Sequence, residues 1–89
     1  MGALPSFDMV ATGANIAQLR RQAGLSVQAL QEIFGFSTPQ AIYKWQRGLA
    51  LPTLDNMLIL SAVLNTTMDA IIVRAEASAE QLHDSGIWG

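Results

Sequence analysis

The sequence predicts an all-α fold, a compact bundle of five short helices. Three observations carry that expectation. A serine or threonine stands before most of the helical segments, and a glycine closes three of them. Within the segments, apolar residues recur at spacings of three and four. No stretch alternates as a half-buried strand would, and no internal repeat is present.

Residues 1–11 carry Gly2 and Pro5 and no period, and are expected to be a flexible arm. From Thr12 the pattern turns helical. Ile16, Leu19 and Ala23 share a face, and Gly24 is placed to end the helix. Ser26 is the expected cap of the next helix, whose inward positions are Leu30, Ile33 and Phe34 and whose stop is Gly35. Thr38 is expected to cap a third helix with Pro39 at its first position, where the missing N–H does no harm. This helix runs to about Arg47 and ends at Gly48. Thr53 caps a fourth, about 54–64, with Leu54, Met57, Leu58, Ser61 and Leu64 inward. Thr67 caps a fifth from Met68, carrying Ile71 and Ile72. Residues 12–75 form the domain, and residues 76–89 either extend the fifth helix to about Leu82 or fray.

Composition narrows the function. With 89 residues the chain is one domain. It has no cysteine, which excludes disulfides and thiolate metal sites, and one histidine, His83, cannot build a zinc site. No apolar run is long enough to span a membrane, and the first residues lack the pattern of a secretory signal, so a cytoplasmic location is expected. The net charge is −2, but the charges are sorted. Between residues 12 and 66, Arg20, Arg21, Lys44 and Arg47 outweigh Glu32 and Asp55. The acidity sits toward the ends, so the central block is compatible with a phosphate surface. Charged residues make up only 13 %, against about 25 % in ordinary domains, and hydrophobic residues 51 %. A small core cannot hide that surplus. Either the chain is part of something larger, or a surface is buried against a partner.

Two short helices joined by a tight turn, Ser26 to Phe34 and Pro39 to Arg47, make a helix-turn-helix. In this unit the second helix enters the DNA major groove and reads bases from its N-terminal end. The segments "IAQLRRQAGLS", "FGFS", "IYKWQRG", "PTLDNMLILSAVLN" and "TMDAII" together resemble the Cro and phage-repressor type helix-turn-helix regulators. The resemblance covers about 60 residues and implies a phage-repressor type bundle that binds double-stranded DNA. Three positions depart from the family's pattern. Val27 stands where a glutamine often contacts phosphate. Gln31 stands at a position where a small alanine is usual. The segment between Gly35 and Ile42 is one residue longer than the common form.

Counting back from Ile42 and Trp45 as inward residues, the outward side of the third helix shows Thr38, Gln40, Ala41, Tyr43 and Lys44. Gln40 is suited to an adenine edge, because its amide both donates and accepts. Lys44 can reach a guanine or a phosphate, and Ala41 a thymine methyl. Tyr43, Arg47 and Gln28 are expected at phosphates, Gln28 alternatively at a base edge. The plainer alternatives are a solvated Gln40, surface charges at Lys44 and Arg47, and an idle Tyr43. The family often pairs the arginine at position 20 with a glutamate where Gln46 stands, so a neutral hydrogen bond is expected there. Trp45 is expected in the core, and Trp88 as an anchor for the tail. Glu32, Asp55 and Asp69 are not paired near a nucleophile, so no enzyme is expected. Nothing calls for a cofactor or a small-molecule ligand.

The surplus apolar residues gather after the third helix and on the outer side of the fourth: Leu49, Ala50, Leu51, Ile59 and Ala62, with Ile71, Ile72 and Val73 near in sequence. A symmetric homodimer would bury such a patch, with Leu51, Ile59, Ala62 and Ile72 at the interface. The bland alternative is a thicker core. The expected function is sequence-specific binding of duplex DNA by a dimeric bacterial or mobile-element regulator. The competing expectation is a protein-interaction module that keeps the bundle but binds DNA weakly.

Overall fold

The computed structural model describes residues 6–75. Over them the chain forms five helices: α1 Met9–Gln22, α2 Val27–Phe34, α3 Gln40–Gln46, α4 Leu54–Val63 and α5 Met68–Ile71. Among the described residues the only β pairing is an isolated antiparallel bridge between Phe7 and Arg74.

The caps follow the sequence closely. Ser26, Thr53 and Thr67 each accept a hydrogen bond from the backbone N–H three residues on. Gly35 closes α2 in the left-handed region at φ 71°. Its neighbour Phe36 returns its N–H to the Gln31 carbonyl at 3.0 Å, which satisfies a terminal carbonyl that the helix leaves open. Two starts differ from expectation. α1 begins at Met9, because the Asp8 carboxylate accepts from the Ala11 N–H at 2.9 Å. The expected arm therefore loses Asp8 to Ala11, and residues 1–5 lie outside the described residues. At α3 the cap position is Pro39, without a side-chain bond, and the Thr38 hydroxyl accepts from the Gln40 N–H at 3.4 Å.

The end of α5 also differs. The helix stops at Ile71 and does not continue toward Leu82; Ile72 is extended at φ −78°, ψ 128°. The reason is a competing set of partners. Asp8 donates its N–H to the Val73 carbonyl at 2.8 Å, and Ala75 donates to the Ser6 carbonyl at 2.9 Å. The buried Thr12 hydroxyl accepts from the Val73 N–H at 2.9 Å and donates to the Val73 carbonyl at 3.3 Å. Asn15 donates to the carbonyls of Ala70 and Ile71, the open end of α5. The tail beyond Ala75, with His83 and Trp88, lies outside the described residues.

Ile16, Leu30, Ile42, Leu60 and Ile71 are fully buried, and Trp45, Met57 and Leu64 nearly so. Each fully buried isoleucine or leucine stabilises by about 1.5–3 kcal/mol relative to exposure. The inward face of α4 is Met57, Leu60 and Leu64. Leu54 and Leu58, expected inward, are 71 % and 55 % exposed, and Ile33 on α2 is 48 % exposed. Ala23, placed with Ile16 and Leu19, is also exposed. From Met57 to Val63 every position but Ser61 is apolar, so periodicity cannot select the face.

α1 crosses α3 at close range. A Cβ on Gly13 would stand 2.2 Å from the Trp45 carbonyl oxygen, and one on Gly48 2.7 Å from the Cα of Val10. Both helices are therefore joined by backbone contacts that only glycine permits at these two positions.

Candidate nucleic-acid interface

The candidate site is the outer side of α3 together with the turn that leads into it and the first turn of α2. The turn holds an aromatic trio. Phe36 stacks on Phe34 with centroids 5.1 Å apart, and both meet Trp45 edge-on at 5.9 Å and 5.4 Å. Trp45 is 4 % exposed and Ile42 fully buried, so α3 presents its opposite side to solvent. Arg20 holds the far end of α3. Its Nε donates to Gln46 Oε1 at 2.9 Å and its Nη1 to the Leu25 carbonyl at 2.8 Å. The arginine–amide pair expected from the sequence is thus formed.

Thr38, Gln40, Tyr43, Lys44 and Arg47 are exposed, as is Gln28 on α2. Ala41 is half-buried and packs against the core. Gln40, Ala41 and Lys44 line one open groove of about 390 Å³, with Thr38, Ser37 and Ala50 at its walls. Tyr43, Arg47 and Gln28 lie outside it. The groove combines amide, hydroxyl and ammonium groups with an alanine methyl, a set that suits base edges and phosphates. Val27 is half-buried against the core. It serves packing where a longer polar side chain would reach outward.

Of the residues assigned to a dimer interface, Ile59 and Ala62 are exposed on α4. Leu51 and Ile72 are half-buried, and both line an apolar hollow of about 150 Å³ together with Phe7 and Leu54. Ile59 and Ala62 do not line it. Ile71 cannot contribute to any surface patch, because it is fully buried. Leu49, at 67 % exposure, Leu54 and Leu58 add to the apolar surface.

Sequence reasoning missed Gly13 and Phe36, which pack against α3, and Thr12 and Asn15, which tie α1 to residues 70–73. Gly13 carried a usable signal. Glycine inside a helix costs about 1 kcal/mol relative to alanine, so its presence in α1 points to a close contact. Thr12 and Asn15 act across sixty-odd and fifty-odd residues, beyond the reach of local pattern.

No described helix is long and apolar enough to cross a membrane. The sequence profile of a family described as Helix-turn-helix matches residues 16–71. The restriction-modification controller protein C.AhdI from Aeromonas hydrophila is similar in structure, with a TM-score of 0.64 at 26 % identity, over 72 % of this chain and 96 % of that one. The DNA-binding domain of BldD is similar at a TM-score of 0.63 and 20 % identity, over 73 % of this chain and 93 % of that one, a likeness of fold. No curated protein matches the sequence.

Proposed function

Because the chain belongs to the Cro/C1-type helix-turn-helix family, we propose that α3 reads the major groove of double-stranded DNA and that the reader is a homodimer. The chain is a DNA-binding regulator of transcription. Gln40 and Lys44 meet base edges, and Ala41 meets a thymine methyl. Thr38, Tyr43, Arg47 and Gln28 meet the backbone. The observation that carries this is the shared groove of Gln40, Ala41 and Lys44 on the solvent side of a helix whose other side is buried at Ile42 and Trp45. The C.AhdI likeness supports a regulatory role, since that protein is a controller of a restriction-modification system.

Dimerisation supplies what one short helix lacks. Two recognition helices about 34 Å apart read two half-sites and double the phosphate contacts. The apolar hollow beside Leu54 supports an isologous contact, because a protruding leucine next to a recess is self-complementary under a two-fold axis. A cytoplasmic location follows from contact with DNA. We assign no catalysis: Glu32 and Asp55 lie on different helices, and the oxygens of Ser26, Thr53 and Thr67 are engaged as caps.

The test is selection of sites from random duplex DNA by wild type and by the Gln40→Ala, Lys44→Ala double variant. A palindromic site enriched by wild type and lost by the folded variant is the expected result. Each lost base contact lowers affinity by about 1–3 kcal/mol. The second reading, an interaction module with weak DNA binding, is favoured by the exposed Leu49, Leu54, Leu58 and Ile59. It wins if the folded wild type enriches nothing at low salt, or if its association does not weaken with salt.

A further inference from the structure

We infer that Gln31 is a positioning residue for DNA reading, which sets where the N-terminal end of α3 lies. The inference rests on the reading that α3 enters the major groove.

The start of α3 is weakly fixed by its own sequence. The helix has seven residues, no side-chain bond at its cap position, and a long 3.4 Å contact from the Gln40 N–H to Thr38. Its close backbone contacts with α1 are at Gly13, against Trp45 and Gln46, and at Gly48, both toward its C-terminal end. The readers Gln40 and Ala41 stand at the other end. Ile42 is buried and Ala41 packs against the core; the residues before them are set by the turn, and the turn is held at Phe36.

Gln31 grips Phe36 from both directions. Its backbone carbonyl accepts the Phe36 N–H at 3.0 Å, as helix termination requires. Its side-chain Nε2 then donates to the Phe36 carbonyl at 3.2 Å, which a short side chain on α2 cannot do. With N–H and C=O both engaged, the peptide planes on either side of Phe36 cannot rotate freely. Phe36 stands in the turn just before α3, so the grip passes from α2 along the turn to Gln40, while the Phe36 ring packs on Phe34 and on Trp45 toward the other end of the helix. Phe36 and Trp45 also border the groove that holds Gln40, Ala41 and Lys44. The side-chain hydrogen bond removes arrangements that the turn between α2 and α3 could otherwise adopt.

Gln31 therefore governs discrimination between sequences more than general attraction to DNA. Phosphate contacts tolerate small shifts of a helix, whereas bidentate base contacts do not. The experiment compares wild type, Gln31→Met and Gln31→Glu. Methionine keeps length and volume but removes the donor. Glutamate keeps the shape and turns an acceptor toward the carbonyl. Each protein is measured for affinity to the site selected by wild type, for affinity to scrambled duplex at the same salt, and for thermal unfolding. The ratio of the two affinities should fall about tenfold in Gln31→Met, the scale of one well-made base contact, and further in Gln31→Glu. Binding to scrambled duplex by Gln31→Met should stay within about twofold, and its Tm within about 5 °C of wild type. An unchanged ratio in both variants, with or without a lower Tm, overturns the inference and leaves Gln31 a structural residue. Failure of wild type itself to select any site overturns the DNA reading, and this inference with it.

Discussion

At its C-terminal end, α3 meets α1 backbone to backbone: Gly13 admits the carbonyls of Trp45 and Gln46, and Gly48 admits Met9 and Val10. At its N-terminal end the same helix is held through side chains: Ile42 is fully buried, Ala41 packs against the core, and the turn leading into the helix is tied to α2 where the Gln31 amide meets the Phe36 carbonyl. The difference matters for how such a domain can change. A backbone contact has no rotamer to adjust and fails as a whole. A side-chain contact can be repacked in small steps. Gln40 and Ala41, which we propose read DNA, stand at the adjustable end.

The largest effect should come from Gly13→Ala. In an exposed helix this change would gain about 1 kcal/mol. Here the new methyl meets backbone carbonyls, so a loss of about 3 kcal/mol is expected in urea unfolding, with the sign reversed. A gain in stability would break the comparison. Phe36→Ala should cost about 2 kcal/mol, less than a fully buried phenylalanine, because the ring is half-buried and loses two aromatic neighbours. Amide exchange should then rise in the turn and at Gln40 before it rises at Gln46; uniform exchange along α3 would show that its ends are not held separately. Gln46→Glu should stabilise by about 0.5–1 kcal/mol, since the Arg20 hydrogen bond becomes charge-assisted on a half-buried pair. A thermal scan would reveal it. Leu54→Ser should change the monomer by no more than about 0.5 kcal/mol, the side chain being 71 % exposed. Sedimentation at rising concentration should nonetheless show weaker self-association; equal association would remove the hollow from the dimer contact.

The helices were legible because their boundaries are written locally. Ser26, Thr53 and Thr67 cap through bonds to a neighbour three residues on, and Gly35 stops α2 by its own φ. The outward side of α3 was legible for the same reason, from Ile42 and Trp45, except at Ala41, which was placed outward and is half-buried against the core. What escaped was set by distant partners. α5 ends at Ile71 because Ser6, Asp8 and Thr12 take up the backbone that follows. The start of α1 was hidden by an arm that looked featureless, although Asp8 is an ordinary capping residue. In α4 the excess of apolar residues erased the period, so Leu60 was missed and Leu54 and Leu58 were misplaced.

The pairing of Ser6–Asp8 with Val73–Ala75 also bears on the order of folding. Thr12 and Val73 are 61 residues apart. Bringing such distant segments together from an open chain costs roughly 4 kcal/mol of loop entropy, more than a few hydrogen bonds return. The pairing therefore belongs after the transition state, once the helices have shortened the gap between the two ends. Weakening it, as in Thr12→Val, should speed unfolding and leave the rate of refolding nearly unchanged.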